Sequence, residues 1–341
     1  MGARRAISSY RAPVWLALGP AAGHAQTILP ALIARCPRPR YRRERWDSEA
    51  DGRPDGDFID VDFIDGAPGK PWVVLFHGLE GSSRSHYARA LMHAVARRGW
   101  TGVIPHFRGC SGEPNRLPRA YHSGDSAEVG WVLRRMAART GGAPLFAAGV
   151  SLGGNALLKW LGESGDGAGF VSAAAGVSAP LDLMAGGAAV SRGFALVYTR
   201  MFLRTLRGKV SAKLAAHPAH PVLHAGAGAV GAARTLREFD NLYTAPMHGF
   251  RDTDDYWTRA SSKPWLGRIA VPTLVLNARN DPFLPAAALP CRADVSAAVT
   301  LEQPADGGHV GFATGAFPGR LDWLPNRLLA FFDHHLPAHG R

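Results

Sequence analysis

Gly149-Val150-Ser151-Leu152-Gly153 sets a hydroxyl between two glycines, and Asp281 and His309 follow it along the chain. These are the residue types of nucleophilic acyl chemistry. A serine hydroxyl attacks a carbonyl well only when a base removes its proton. A histidine can take that proton and return it to a leaving group, and a carboxylate fixes the histidine's tautomer and steadies its charged form. The five-residue pattern alone is weak. In 341 residues with 18 Ser and 40 Gly, chance would supply roughly a quarter of one such match. Its context makes it informative: "LFAAGV" reads as a buried strand and "LGGNALLKWLGE" as the start of a helix, so Ser151 sits at a strand-to-helix corner. Asp281 ends the apolar run "TLVLNARND", and His309 follows the next run in "AVTLEQPADGGHVGF". The order Ser, Asp, His is one of the orders in which this chemistry is assembled.

Acyl transfer also needs donors for the oxyanion. The N–H of Leu152, just after the corner, is one candidate, and Leu79 in "WVVLFHGLEGSS", a loop after an apolar run, is the second. Other residues compete for roles. Asp182 in "SAPLDL" follows the preceding strand and is a rival acid to Asp281, while Asp306 reads as a turn former. His77 and His122 read as hydrogen-bonding braces for their loops. Cys110 lacks a histidine–acid pair of its own. "HPAHPVLH" imitates metal-ligand spacing, but Pro218 and Pro221 oppose a regular helix, and no acid or cysteine is close, so no metal is expected.

These residues need a scaffold. "WVVLF" (72–76), "TGVIPHF" (101–107), "LFAAGV" (145–150), "FVSAAAGV" (170–177) and "PTLVLNA" (272–278) are short continuous apolar runs, as in strands covered on both faces of a parallel sheet. Helical segments lie between them, such as "DSAEVGWVLRRMAAR" with Val129, Val132, Leu133 and Met136 on one face. "DFIDVDFIDG" (57–66) alternates apolar and acidic residues and predicts a half-exposed strand paired with "YRRERWD". The fold class is α/β, with a mostly parallel central sheet flanked by helices. From about Pro180 to Pro264 the strand rhythm stops, predicting an inserted helical cap. The expected organisation is an N-terminal segment (1–56) packed on the core, the first core part (57–180), the cap (181–264) and the second core part (265–341).

A chain 46% hydrophobic and 19% charged can bury a large core and is not disordered. Its net charge of +12 raises nucleic-acid or anionic-membrane binding. The excess is concentrated in 35–45 and in the cap at 191–214, with no nucleic-acid-binding motif in either, so no nucleic-acid partner is expected. In "SRGFALVYTRMFLRTLRGKVSAKL", Phe194, Val197, Tyr198, Met201 and Phe202 cluster on one helix side and Arg192, Arg200, Arg204 and Arg207 on another. This is a cap helix packed on the core with a solvated basic face, or one whose basic face meets anionic lipid or an acidic substrate end. Cys36, Cys110 and Cys291 are odd in number and form no close pair, which reads as reduced thiols of a cytoplasmic protein. The first 27 residues imitate a signal peptide, but the apolar run Val14–Leu18 is too short for one.

Beyond this reading, His24-Ala25-Gln26-Thr27, "FHGLEGSSRSHY", "HFRGCSGEPN", "YHSGDS", "GVSLGGNALLKWLGE", "TAPMHGF", "VPTLVLNARNDPF" and "GGHVGF" occur in that order. Together they resemble the YheT-type α/β-hydrolases, relatives of abhydrolase-domain esterases and lipases, from about residue 24 to 312. The resemblance implies the α/β-hydrolase fold with a helical cap, a triad at Ser151, Asp281 and His309, and ester hydrolysis without a cofactor. It implies small-molecule or lipid esters as substrates without fixing which. Ser126 stands where the family tends to have Thr. An acyltransferase using the same acyl-enzyme with an alcohol or thiol acceptor is the alternative activity.

Overall fold

The computed structural model describes residues 9–50 and 53–336. Arg4 and Arg5, which open the signal-like stretch, and Asp51 and Gly52 in the turn before the acidic strand lie outside the described residues.

Eight strands form one sheet: β1 (Arg42–Ala50), β2 (Arg53–Ile64), β3 (Trp72–Phe76), β4 (Thr101–Pro105), β5 (Leu145–Val150), β6 (Ala173–Val177), β7 (Thr273–Leu276) and β8 (Val299–Glu302). Their spatial order is β1-β2-β4-β3-β5-β6-β7-β8. β1 and β2 pair antiparallel, as do β2 and β4, and every later pairing is parallel. The continuous apolar runs follow from helices on both faces. Along β3, Val74 and Phe76 face α3 (Ser126–Ala137) and α4 (Leu152–Ser164), while Val73 and Leu75 face α2 (His86–Arg97) and α11 (Trp323–His334). The expected runs 101–107, 170–177 and 272–278 are each trimmed. His106 and Phe107, for example, have left the sheet by the time the chain turns toward Arg108.

β2 corrects one expectation. Its acids do not face solvent: Asp57, Asp60 and Asp62 are all buried. Alternation here arises from a row of ion pairs. Arg43 bonds Asp62, Arg45 bonds Asp60, and Arg108 reaches Asp57, Asp55 and Glu128. Two of the six arginines of the 35–45 run are thereby paired with the acids of β2. β2 also begins at Arg53, so the expected boundary at 56/57 falls within a strand.

The segment expected to form a cap contains α5 (Leu183–Val190), α6 (Leu196–Ala216), α7 (Pro221–Ala232), α8 (Leu236–Phe239), a π turn at Asp240–Thr244, α9 (Ala245–Met247) and α10 (Thr253–Ala260). Leu203, Val210, Leu223, Val230, Phe239 and Tyr243 give it a small core of its own. Pro221 does not prevent a helix as expected: it occupies the first turn of α7, where its missing N–H is harmless. The apolar side of α6 divides. Tyr198 is buried, whereas Phe194, Val197 and Met201 are about half exposed. No helix among the described residues is long and apolar enough to cross a membrane.

Candidate active site

Ser151 ends β5 and precedes α4 with φ 53° and ψ −122°, a backbone conformation that costs an L-residue on the order of 1–3 kcal/mol. The corner is held on both sides, as Ser151 N–H donates to Val177 O at 2.8 Å and Asn155 N–H donates to Ser151 O at 3.0 Å. It also requires its glycines. A Cβ on Gly149 would stand 2.4 Å from Gly153 O, and one on Gly153 would stand 2.4 Å from Phe76 O. The helix start is thus pressed against the end of β3 closely enough to exclude even a methyl group.

The sheet's carboxyl edge brings three distant side chains together. Ser151 Oγ lies 2.9 Å from His309 Nε2, and His309 Nδ1 lies 2.9 Å from Asp281 Oδ2. The carboxylate fixes the tautomer: Nδ1–H donates to Asp281, leaving Nε2 to accept from the serine hydroxyl. Asp281 is buried, and its Oδ1 accepts from Phe283 N–H at 2.8 Å. Asp182 is elsewhere, capping α5 by accepting from Ala185 N–H, so it is not the acid beside His309.

The loop after β3 leaves one N–H available. Gly78 N–H donates to Tyr87 OH and Glu80 N–H to Tyr121 OH, both at 2.8 Å. Leu79 N–H, between them, makes no hydrogen bond among the described residues. Leu152 N–H is the first of α4 and has no acceptor within its helix. His77 is fully buried under this loop. Its Nε2 accepts from Phe107 N–H, so Nδ1–H donates to Gly78 O, and burial holds its pKa down at about 3. It is a neutral brace. His122, also held neutral by burial with a pKa of about 3, accepts from Gly124 N–H. Cys110 is pushed up to about 11 by burial and lies 3.4 Å from Lys209 Nζ, with no histidine base. His217 bonds Arg116 O, and among the described residues no group of three His, Cys, Asp or Glu is placed to hold a metal.

Sequence reasoning missed the residues that align His309. Gln26 and Thr27 lie on α1 (Ala22–Ile33), at the far end of the chain from His309. Gln26 Oε1 accepts from Asn280 Nδ2 at 2.8 Å and from Gly307 N–H at 2.7 Å, while its Nε2 donates to Asp306 Oδ1 and Leu16 O. Asp306 therefore belongs to this clamp as well as to its turn. Thr27 Oγ1 accepts from His309 N–H at 2.9 Å, and Gly308 N–H donates to Asn280 Oδ1. One buried amide thus ties the acid loop to the histidine loop. Phe283 stacks on the imidazole from the other side, and Tyr198 and Phe202 of α6 pack against Phe283.

Ser151, Leu79 and Leu152 open on a cavity of about 810 Å³ roofed by the inserted helices. Leu183, Val190, Phe202, Leu206, Phe239 and Trp257 supply apolar wall. A cavity of this size and lining has room for an extended apolar group.

Residues 71–316 match the family model described as alpha/beta hydrolase fold. The chain is 41% identical over 320 residues to the Escherichia coli (strain K12) protein named "Putative esterase YheT", covering 92% of this chain and 91% of that one. The chain belongs to the YheT-type α/β-hydrolases. Among relatives of this YheT-type chain is the protein named phospholipase ABHD3 of Mus musculus, 31% identical over 92% of this chain and 76% of that protein. The esterase Pf2001 of Pyrococcus furiosus shares the fold, with a TM-score of 0.56 at 14% identity, over 90% of this chain and 99% of that one.

Proposed function

We propose that this YheT-type α/β-hydrolase is a serine carboxylester hydrolase acting through an acyl-enzyme. The observation that carries the reading is the unbroken Ser151–His309–Asp281 relay, two contacts of 2.9 Å opening on an apolar cavity. Ser151 Oγ attacks the ester carbonyl as His309 Nε2 takes its proton, and Asp281 stabilises the imidazolium. The N–H groups of Leu79 and Leu152 receive the oxyanion. His309 then protonates the leaving alcohol, and a water activated by the same nitrogen releases the acid and frees Ser151. The strained backbone of Ser151 supports the assignment, since strain of this kind persists where the surroundings enforce it for a purpose. Relatives named as an esterase and a phospholipase support an ester or lipid substrate.

Fluorophosphonate labelling of the protein and of Ser151→Ala tests the nucleophile. Labelling only of the unsubstituted protein, with an initial burst on an activated ester, is the expected result, and labelling that survives the substitution overturns it. Product analysis with added alcohol separates hydrolysis from acyl transfer.

The cap supports a second part of the proposal, contact with a lipid surface from which esters are drawn. Phe194 in the turn before α6 and Val197 and Met201 on it are exposed, as are Arg200 and Arg204 of the same helix, neither of which forms an ion pair among the described residues. Apolar side chains beside unpaired arginines suit an anionic interface. Sedimentation with anionic but not neutral vesicles is expected, and equal binding to both discards the idea.

A further inference from the structure

α6 runs along the cavity. Near its start Phe202 packs on Phe283, and near its end Lys213 Nζ donates to Leu117 O at 2.5 Å. The two lie eleven positions apart on the helix, about 16 Å. The two ends differ in chemistry. The first half of α6 meets aromatic and aliphatic walls, whereas the second half faces the loop after β4 and brings Lys209 and Lys213 to the cavity beside Arg108 and Arg116.

These four cations are not equivalent. Arg108 is saturated by Asp55, Asp57 and Glu128, and Lys209 is matched by Glu80 at 2.6 Å. Lys213 has no carboxylate within ion-pair distance among the described residues, only the carbonyl of Leu117. Arg116 likewise has none: it donates to Gly56 O and lies over the Phe58 ring. Glu113, the nearby acid on the cavity wall, is exposed and pairs with neither. Partial burial already depresses the Lys213 pKa, so its charge sits where water solvates it poorly. An unpaired lysine and arginine at one end of a substrate cavity are matched by an anion that arrives with the substrate.

We propose that the Lys213–Arg116 end of the cavity binds an anionic group, phosphate or carboxylate, of an ester whose apolar chain occupies the other end. This rests on the esterase reading and narrows it to amphiphilic anionic esters. The basic residues concerned are the cavity-lining lysines of α6, distinct from Arg200 and Arg204, which are exposed; Arg207, expected on that solvated face, is half-buried and bonds Ala233 O.

The test compares three esters with one acyl chain: a neutral monoacylglycerol, a 1-acylglycerol 3-phosphate and an acyl ester of a hydroxycarboxylic acid. kcat/KM at least tenfold higher for one of the charged esters, carried by KM and reduced by added salt, is expected, and the better of the two identifies the anion. In Lys213→Met the ratio of charged to neutral kcat/KM falls toward one, and Lys213→Arg retains it. Inorganic phosphate inhibits the unsubstituted protein more strongly than Lys213→Met. Equal kcat/KM on all three esters, or a ratio unmoved by Lys213→Met, overturns the proposal. Absence of both ester turnover and Ser151 labelling would instead remove the esterase reading itself, so the two failures are distinguishable.

Discussion

Phe283 lies flat on the imidazole of His309, with ring centroids 4.0 Å apart and planes within 10°. The same ring touches Tyr198 and Phe202 of α6, so it is both a wall for the histidine and the seat of the cap helix. In the proposed reaction, an aromatic face would stabilise the imidazolium of His309 by about 0.5–2 kcal/mol. Phe283→Leu is expected to lower kcat roughly 3- to 30-fold with a smaller change in KM, while Phe283→Tyr keeps most of the activity. Steady-state kinetics of the two variants check this. Equal losses in both would point to steric support alone.

Gln26 makes a separable contribution. Gln26→Ala leaves the buried Gly307 N–H without an acceptor and unties Asn280 from it, at a cost of about 1–3 kcal/mol in stability. Thr27→Val removes the acceptor for His309 N–H together with the hydroxyl's own bond to Gly23 O within α1. The expected result is a fluorophosphonate labelling rate reduced about tenfold in Thr27→Val, with a fall in melting temperature smaller than that of Gln26→Ala. Calorimetry and labelling rates, measured on the same preparations, read the two effects independently.

Acid should unfold the protein through its buried histidines. His77, His122 and His248 are held neutral, with pKa values of about 3, 3 and 2, principally by burial. Neighbouring positive groups, Arg119 beside His122 and His248, add to the effect. A depressed folded pKa means that the unfolded chain binds protons first. Stability is therefore fully present above about pH 6.5 and is lost as pH falls toward the folded values, by up to about 1.4 kcal/mol per pH unit per histidine. His248 Nε2 is buried without a hydrogen-bond partner among the described residues, so His248→Phe is expected to flatten the pH slope by about one proton without loss of stability at pH 7.5. Urea unfolding at pH 7.5, 6 and 5 measures it.

Glycine substitutions should split by position. Gly153→Ala drives a methyl into the backbone of Phe76 and His77 and is expected to cost more than about 4 kcal/mol, leaving little folded protein. Gly228 lies in α7 with open space around its Cβ position, and Gly228→Ala is expected to stabilise by about 0.5–1 kcal/mol. Thermal melts distinguish the two.

The scaffold was legible because a strand covered on both faces must be apolar throughout, and "WVVLF" or "LFAAGV" admits few other readings. Ser151, Asp281 and His309 were legible for a related reason, as each stands where an apolar run ends. β2 misled because alternation reports two different faces without saying what covers the polar one; Arg43, Arg45 and Arg108 cover it here. Gln26, Thr27 and Phe283 carry no periodic signature at all. Their roles depend on which loops a distant helix happens to reach, and only tertiary packing decides that. The charge of α6 was visible, but its division into exposed Arg200 and Arg204 and cavity-lining Lys209 and Lys213 depends on how the helix rolls over the cavity.

α1 reaches loops nearly three hundred residues further along the chain, which makes the centre a late product of synthesis. A nascent polypeptide carries Ser151 long before His309 leaves the ribosome, and the bonds of Gln26 and Thr27 to the histidine loop form only once both segments exist. Trimming the first thirty residues would delete no member of the proposed relay, yet the shortened enzyme should be catalytically silent.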